Sequence, residues 1–138
     1  MEESLRIQAI IETAIYVDDL DETEAFYRTI LGLDVIAKKP GRDVFFQVGS
    51  NCVLRAFIAD TTLKEGNTPH GTKGPGHFAL GIKAEALDQW RQKLEENAVA
   101  IEDEIVWPKG GKSIYFRDPS GNLVELVTPG VWGLPSGW

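Results

Sequence analysis

The stretch Glu12-Thr-Ala-Ile-Tyr-Val17 returns in similar form as His77-Phe-Ala-Leu-Gly-Ile82 in the second half of the chain. Each copy begins with a side chain that can bind a metal ion and continues as a strand-like run. A module of half this length would bury too little apolar surface to be stable alone. The pair therefore predicts two related modules that fold together and share one site.

The residues around each copy follow the same order of elements. In the first half, the run 10–17 precedes apolar positions at helical spacing over 21–31, and Gly32 stands where a helix C-cap is expected. Strand-like runs follow at 33–38, 44–48 and 52–59. In the second half a helix with Asn97 as its cap is followed by strands near 99–105, 113–116 and 123–127. The predicted fold class is α+β, with two tandem βαβββ modules.

The whole chain, 1–138, is predicted to be one domain. Module one covers about 8–62, a linker rich in glycine covers about 64–76, and module two covers about 77–128. An apolar tail, 129–138, contains Trp132 and Trp138, which are too apolar to favour free solution. We expect this tail to cover a cleft or a subunit interface.

Composition excludes several classes of partner. The net charge of −7, without a lysine or arginine cluster, argues against a nucleic acid partner. No apolar run approaches the roughly 20 residues that span a bilayer, so no membrane partner is expected. The single cysteine, Cys52, cannot form an internal disulfide, and the first residues lack the features of a secretory signal. A cytoplasmic protein is the expectation.

Three segments together carry a resemblance to a known family. They are Glu12 to Leu20 with Phe26-Tyr27 and Leu31-Gly32-Leu33, then Gly76-His77-Phe78-Ala79, then Ser113-Ile-Tyr-Phe-Arg-Asp-Pro-Ser-Gly-Asn-Leu-Val-Glu-Leu126. From about residue 10 to 127 the chain resembles the vicinal oxygen chelate superfamily. That superfamily includes glyoxalase I, fosfomycin-resistance thiol transferases, bleomycin-resistance proteins and extradiol dioxygenases.

The resemblance implies a curved mixed sheet that forms a cleft, with metal ligands on the cleft face. The implied ligands are Glu12, His77 and Glu125, and the two carboxylates are the candidate catalytic groups. The family usually has His or Gln in place of Glu12. The fourth ligand of glyoxalase I, a glutamate, falls at Arg55, which cannot coordinate a cation.

Strand geometry supports this placement independently, because side chains alternate with a period of two. Glu12 and Tyr16 must share one face, and so must His77 and Ala79. One imidazole and two carboxylates form a harder donor set than the two-histidine triad of oxygen-activating iron enzymes. A divalent cation is therefore predicted, with Mn²⁺, Ni²⁺, Co²⁺, Zn²⁺, Mg²⁺ or Fe²⁺ left open, and an extradiol-type dioxygenase is disfavoured.

Arg55 leaves a second interpretation open. It either binds an anionic substrate group or pairs with Glu12, so that no metal is needed. Tyr16 and Tyr115 are further candidates for substrate binding. Phe46 and Phe116 either line the cleft with them or, as is commoner for aromatic residues on strands, simply pack in the core.

Two functions from different classes follow. The first is a metal-dependent enzyme of the glyoxalase or fosfomycin-resistance type, in which a divalent cation chelates vicinal substrate oxygens. Its reaction would be an isomerisation, epimerisation, lyase reaction or thiol transfer, and one carboxylate would move a proton. The second is a metal-free binding protein of the bleomycin-resistance type. A homodimer is expected for either. In many relatives the modules pair between chains, which would bring Glu12 of one subunit to His77 and Glu125 of the other. The linker permits this exchange or a pairing within one chain, and both topologies stay open.

Overall fold

Both halves of the chain fold as a strand, a helix and three further strands. The computed structural model describes residue 5 and residues 7–138. The elements of the first half are β1 (Glu12–Tyr16), α1 (Leu20–Ala25), β2 (Asp34–Lys39), β3 (Asp43–Val48) and β4 (Cys52–Phe57). A short helix, α2 (Ala59–Thr62), follows β4. The elements of the second half are β5 (His77–Gly81), α3 (Leu87–Glu96), β6 (Asp103–Val106), β7 (Lys112–Arg117) and β8 (Leu123–Val127). The predicted tandem βαβββ arrangement is confirmed.

Each module has a four-stranded mixed sheet of its own. The strand orders are β1-β4-β3-β2 and β5-β8-β7-β6, and the first strand of each module runs parallel to the last. β1 and β5 are therefore outer strands, each with one free hydrogen-bonding edge within its sheet. The two sheets have the same topology, as the duplicated sequence predicts.

Helix α1 begins and ends where its residues dictate. The Asp19 carboxylate accepts a hydrogen bond from the Glu22 amide at 2.8 Å, which satisfies one of the free amides of the first turn. A π-helical turn, Phe26–Ile30, follows directly. Gly32, at a φ of +68°, then ends the helical segment as predicted, because a residue with a Cβ is disfavoured in that conformation.

The two modules share one core, built from the sheet faces opposite to the candidate site. Phe26 lies 6.3 Å from Phe116, and Tyr27 lies 6.3 Å from Phe78, as measured between ring centroids. Phe46 and Phe116 are fully buried in this core. They therefore do not line a cleft, because each occupies the opposite strand face from Phe45 or Tyr115.

The Asp118-Pro-Ser-Gly-Asn122 turn connects the modules. The Asp118 carboxylate accepts hydrogen bonds from the amides of Ser120 and Asn122 and from the hydroxyl of Tyr27, the last at 3.0 Å. Asn122 in turn donates to the main-chain oxygen of Tyr16 at 3.2 Å. This sequence motif is a structural device that joins the second module to the first.

The linker and the tail are held against the sheets. Arg42 donates to both oxygens of Glu65 at 2.9–3.0 Å, which ties the start of the linker to module one. In the tail, the main-chain oxygen of Trp138 accepts hydrogen bonds from the amides of Trp132 and Leu134. Within the described residues, no helix has both the length and the apolar character to cross a bilayer.

Candidate metal and substrate site

Arg55 and Glu12 form an ion pair on the solvent-exposed face of module one. Arg55 on β4 donates from Nη1 to both carboxylate oxygens of Glu12 on β1, each at 3.0 Å. Its guanidinium carbon also lies 4.5 Å from the ring centre of Phe45 and 4.7 Å from that of Phe57. The two ring contacts and the two hydrogen bonds together restrain the guanidinium, so Arg55 is a preorganised cation.

Module two presents a histidine and a carboxylate on the equivalent face. His77 Nε2 lies 3.2 Å from Glu125 Oε1. The other ring nitrogen, Nδ1, lies 3.0 Å from the carbonyl oxygen of Leu123. The Glu125 side chain is only 11% exposed and that of His77 is 48% exposed, so solvent reaches the pair mainly from the histidine side.

These contacts limit the hydrogen-bonding states that are open to His77. A carbonyl oxygen can only accept, so the contact with Leu123 is a hydrogen bond only when Nδ1 carries a proton. In the neutral ring Nε2 is then an acceptor, and it faces a carboxylate oxygen that is also an acceptor. A proton on Nε2 or a bound cation would place a positive charge between these two atoms. The separation of 3.2 Å also falls within the roughly 3–3.5 Å expected for two ligands of one ion with bonds of about 2.1 Å.

Three neighbours of Glu125 complete this half of the site. Ser113 donates to Glu125 Oε2 at 2.5 Å, and Trp107 donates from its indole nitrogen to Ser113 Oγ at 2.8 Å. The Tyr115 ring lies 6.2 Å from that of His77, and burial, together with the charge of Glu125, raises the pKa of Tyr115. The sequence analysis does not single out Ser113, although it lies two residues before Tyr115 on β7 and therefore shares its strand face. Trp107 lies outside the strands, so no alternation indicates which way its side chain points.

Within one chain the three predicted ligands do not converge. Glu12 contacts Arg55 in module one, whereas His77 and Glu125 meet in module two. Among the residues that the structure describes, no group of three or more acidic, histidine or cysteine side chains is arranged to hold a metal ion. The predicted ligands thus lie in two separate groups, called half-sites below, and their union in one complete ligand set stays a prediction.

Tyr16 lies at the edge of a separate cavity. It stacks on Phe57 at 6.1 Å between ring centroids. It also lines a cavity of about 410 Å³ between module one and the linker, which includes Thr72 and Lys73 but not Glu12, His77 or Glu125. The role of Tyr16 in substrate binding therefore stays a prediction.

Comparison with known proteins identifies the family. The sequence profile of the Glyoxalase/Bleomycin resistance protein/Dioxygenase superfamily matches residues 9–126, and the chain belongs to this superfamily. The chain is 30% identical over 126 residues to the metallothiol transferase FosB of Staphylococcus epidermidis, covering 90% of this chain and 84% of that protein. It is 26% identical over 121 residues to the fosfomycin resistance protein FosX of Listeria innocua, covering 87% and 89%.

A solved structure extends the comparison. Lactoylglutathione lyase from Agrobacterium tumefaciens superposes with a TM-score of 0.87 at 38% identity, covering 93% of this chain and 98% of that one. The chain is thus similar along most of its length both to a lyase and to proteins of the fosfomycin-resistance type.

Proposed function

We propose that this protein is a metal-dependent enzyme that acts on a small molecule with two neighbouring oxygen atoms. The observation that carries the proposal is the approach of His77 Nε2 to Glu125 Oε1, which lie 3.2 Å apart, close to the spacing of two ligands of one ion. The hydrogen bond from Nδ1 to Leu123 is the arrangement that typically orients a metal-binding histidine. Glu12, His77 and Glu125 would hold the ion.

The chain's own residues would divide the remaining work. A bound divalent cation would supply Lewis acidity that stabilises negative charge on the substrate oxygens. Arg55, which contacts the rings of Phe45 and Phe57, would bind an anionic substrate group such as a carboxylate or phosphonate. Glu12 is the more exposed carboxylate, with 53% of its side chain accessible, and is therefore better placed than Glu125 to accept or return a proton.

The reaction class follows from relatives of two kinds. Lyase and thiol-transferase reactions both fit a site that stabilises developing negative charge on substrate oxygens. Assays for formation of lactoylglutathione and for thiol-dependent consumption of fosfomycin, each with Mn²⁺, Ni²⁺, Co²⁺ or Zn²⁺ added, test the proposal directly. Absence of both activities with every metal would contradict this reaction class.

We further propose that the complete site forms between two copies of the chain. β1 and β5, which carry Glu12 and His77, are outer strands of their sheets. Ile7, Ile10 and Ile11, just before β1, are 92%, 78% and 56% exposed. Pairing the β1 side of one subunit with the β5 side of the partner would cover this apolar segment and join the two half-sites.

Subunit mixing tests the shared site. Glu12→Gln and Glu125→Gln chains are each expected to lose metal binding, but a mixed dimer would contain one intact site. Random mixing at equal amounts should therefore restore about one quarter of the wild-type metal content. No recovery, or a single species at the monomer mass of 15.3 kDa in sedimentation, would refute the shared site.

A second candidate function has its own supporting observation. The ion pair between Arg55 and Glu12 neutralises the carboxylate, as expected of a metal-free binding protein. Elemental analysis of protein purified without chelators separates the two candidates. Near-stoichiometric metal supports the enzyme, whereas a metal-free protein that also fails to take up added Mn²⁺, Ni²⁺, Co²⁺ or Zn²⁺ supports the binding protein. For both candidates we propose a cytoplasmic location, in which the exposed Cys52 stays reduced.

A further inference from the structure

A chain of two hydrogen bonds runs from Trp107 through Ser113 to Glu125. The indole nitrogen of Trp107 lies 2.8 Å from Ser113 Oγ, and Ser113 Oγ lies 2.5 Å from Glu125 Oε2. An indole N–H can only donate, so the serine oxygen accepts from it and directs its own proton to the carboxylate. The direction of both hydrogen bonds is thus determined by the chemistry of the groups.

We propose that Trp107 and Ser113 are positioning residues for Glu125, an inference that rests on the proposed metal site. Ser113 occupies Oε2 and thereby leaves Oε1 facing His77. Ser113 is fully buried and Glu125 is 8% exposed, so water does not compete effectively for these hydrogen bonds. The carboxylate is held in one orientation before any ligand arrives, which favours binding through a single oxygen.

The local fold explains why Trp107 can reach Ser113. Trp107 opens the hairpin turn between β6 and β7, where its amide donates to the carbonyl of Gly111 at 3.1 Å. Gly111 has a φ of +78°, and a Cβ there would lie 2.8 Å from the main-chain oxygen of Pro129. The close approach of the tail thus requires glycine in this turn, and the turn directs the indole towards β7.

The first module lacks this device. In the first sheet, Asp43 occupies the position that Ser113 has in the second. Asp43 pairs with Phe57, which lies two residues after Arg55. Ser113 pairs with Val127, which lies two residues after Glu125. Asp43 contacts Arg42 rather than Arg55. The hydrogen-bond chain therefore belongs to the half-site with the buried carboxylate, where loss of orientation would matter most.

The test compares Co²⁺ binding by purified protein, stripped of metal, with that of four variants. Ser113→Ala removes the donor to Glu125, and Trp107→Phe removes the donor to Ser113 while keeping a ring. Ser113→Thr keeps the hydroxyl and serves as the rescue variant. Trp132→Phe is the matched control, because Trp132 is 72% exposed and lies outside the half-site.

We expect Ser113→Ala to weaken Co²⁺ binding about 10- to 100-fold, the range typical of changes to groups that orient metal ligands. Trp107→Phe should weaken it in the same direction, by a smaller factor. Both should shift the visible absorption of bound Co²⁺, because Ser113→Ala frees Oε2 and Trp107→Phe leaves the Ser113 hydroxyl free to turn away from it. Ser113→Thr and Trp132→Phe should keep wild-type affinity and spectrum.

A measurement on the metal-free protein checks the hydrogen bond itself. The indole N–H signal of Trp107 in a ¹H–¹⁵N correlation spectrum should move in Ser113→Ala and stay in Ser113→Thr. Wild-type affinity and spectrum in both Ser113→Ala and Trp107→Phe would overturn the positioning role, even if melting temperatures fall. If Ser113→Ala does not fold, Trp107→Phe decides. Wild-type protein that binds no Co²⁺ would refute the metal site, and the positioning role with it.

Discussion

Arg55 and Glu125 occupy the same register position in the two modules. Arg55 pairs with Ala14 on β1, and Glu125 pairs with Ala79 on β5. The duplicated sheets thus place a cation and an anion at equivalent points. A site assembled from both half-sites would contain Glu12, Glu125 and Arg55, with a net charge of −1, and a divalent cation would change it to +1. Such a site suits an anionic substrate.

Replacing Arg55 should separate substrate binding from metal binding. We expect Arg55→Ala to weaken binding of methylphosphonate, used as an oxyanion probe, by about 1.5–3 kcal/mol, the usual contribution of a hydrogen bond to a charged group. Its effect on Co²⁺ affinity should be smaller. Calorimetric titrations measure both, with Arg28→Ala as control because Arg28 lies on exposed helix surface. An equal loss of metal would indicate that Arg55 serves mainly to hold Glu12.

Glu125→Gln should abolish metal binding with little loss of folding. The loss of Co²⁺ affinity should exceed the roughly 10- to 100-fold expected for residues that only orient ligands. Denaturant unfolding and Co²⁺ titration test both statements. Glu102→Gln, on the exposed surface beside Arg117, should change neither.

Tyr27→Phe should weaken the connection between the modules. The lost hydrogen bond to Asp118 is buried, and we expect a cost of about 1–2 kcal/mol in the free energy of unfolding. Urea unfolding measures it. Tyr16→Phe is the control, because the Tyr16 main-chain oxygen, rather than its hydroxyl, bonds to Asn122. A cost no larger than that of Tyr16→Phe would show that the hydrogen bond is not important for stability.

The same residue predicts a loss of stability at alkaline pH. Burial, and then the charge of Asp118, raise the pKa of Tyr27 well above 10. Above pH 10 the unfolded chain therefore holds fewer protons at this residue than the folded chain does. Stability falls as pH rises, by at most about 1.4 kcal/mol per pH unit from this group. Tyr27→Phe should reduce that slope between pH 10 and 11, whereas an unchanged slope would assign alkaline unfolding to other groups.

Gly81→Ala should displace the tail from module two. A Cβ at Gly81 would lie 2.5 Å from Cη2 of Trp138, and Gly81 does not have a positive φ, so the backbone itself would accept alanine. We expect a red shift of tryptophan emission as Trp138 becomes exposed. In a double-mutant cycle, Gly81→Ala should have almost no effect in a Trp138→Ala background. Additive effects would contradict the contact, and Val106→Ala, at an exposed position on β6, provides the uncoupled control.

Local pattern was enough to predict most of the secondary structure and the faces of the strands. Two bounds were wrong, because the strand predicted near 99–105 begins only at Asp103 and the one predicted at 52–59 ends at Phe57, before the unpredicted helix α2. Alternation with a period of two placed Glu12 with Tyr16 and His77 with Ala79, and the turn glycines separated the strands. The strand Leu123–Val127 is observed with the predicted bounds. Phe46 and Phe116 followed the same alternation into the core, which supports packing over the cleft alternative.

Contacts between distant parts of the chain required the tertiary structure. The sequence by itself determined the tandem modules, because strand periodicity and turn residues act over a few positions and are visible in any short window. Only the folded chain placed Glu12 with Arg55, His77 with Glu125 and Trp107 with Ser113. Only the folded chain shows that the two modules pack against each other around Tyr27 and that the predicted ligands lie in two half-sites. Such choices depend on how whole faces bury apolar surface against each other, and local spacing does not encode that.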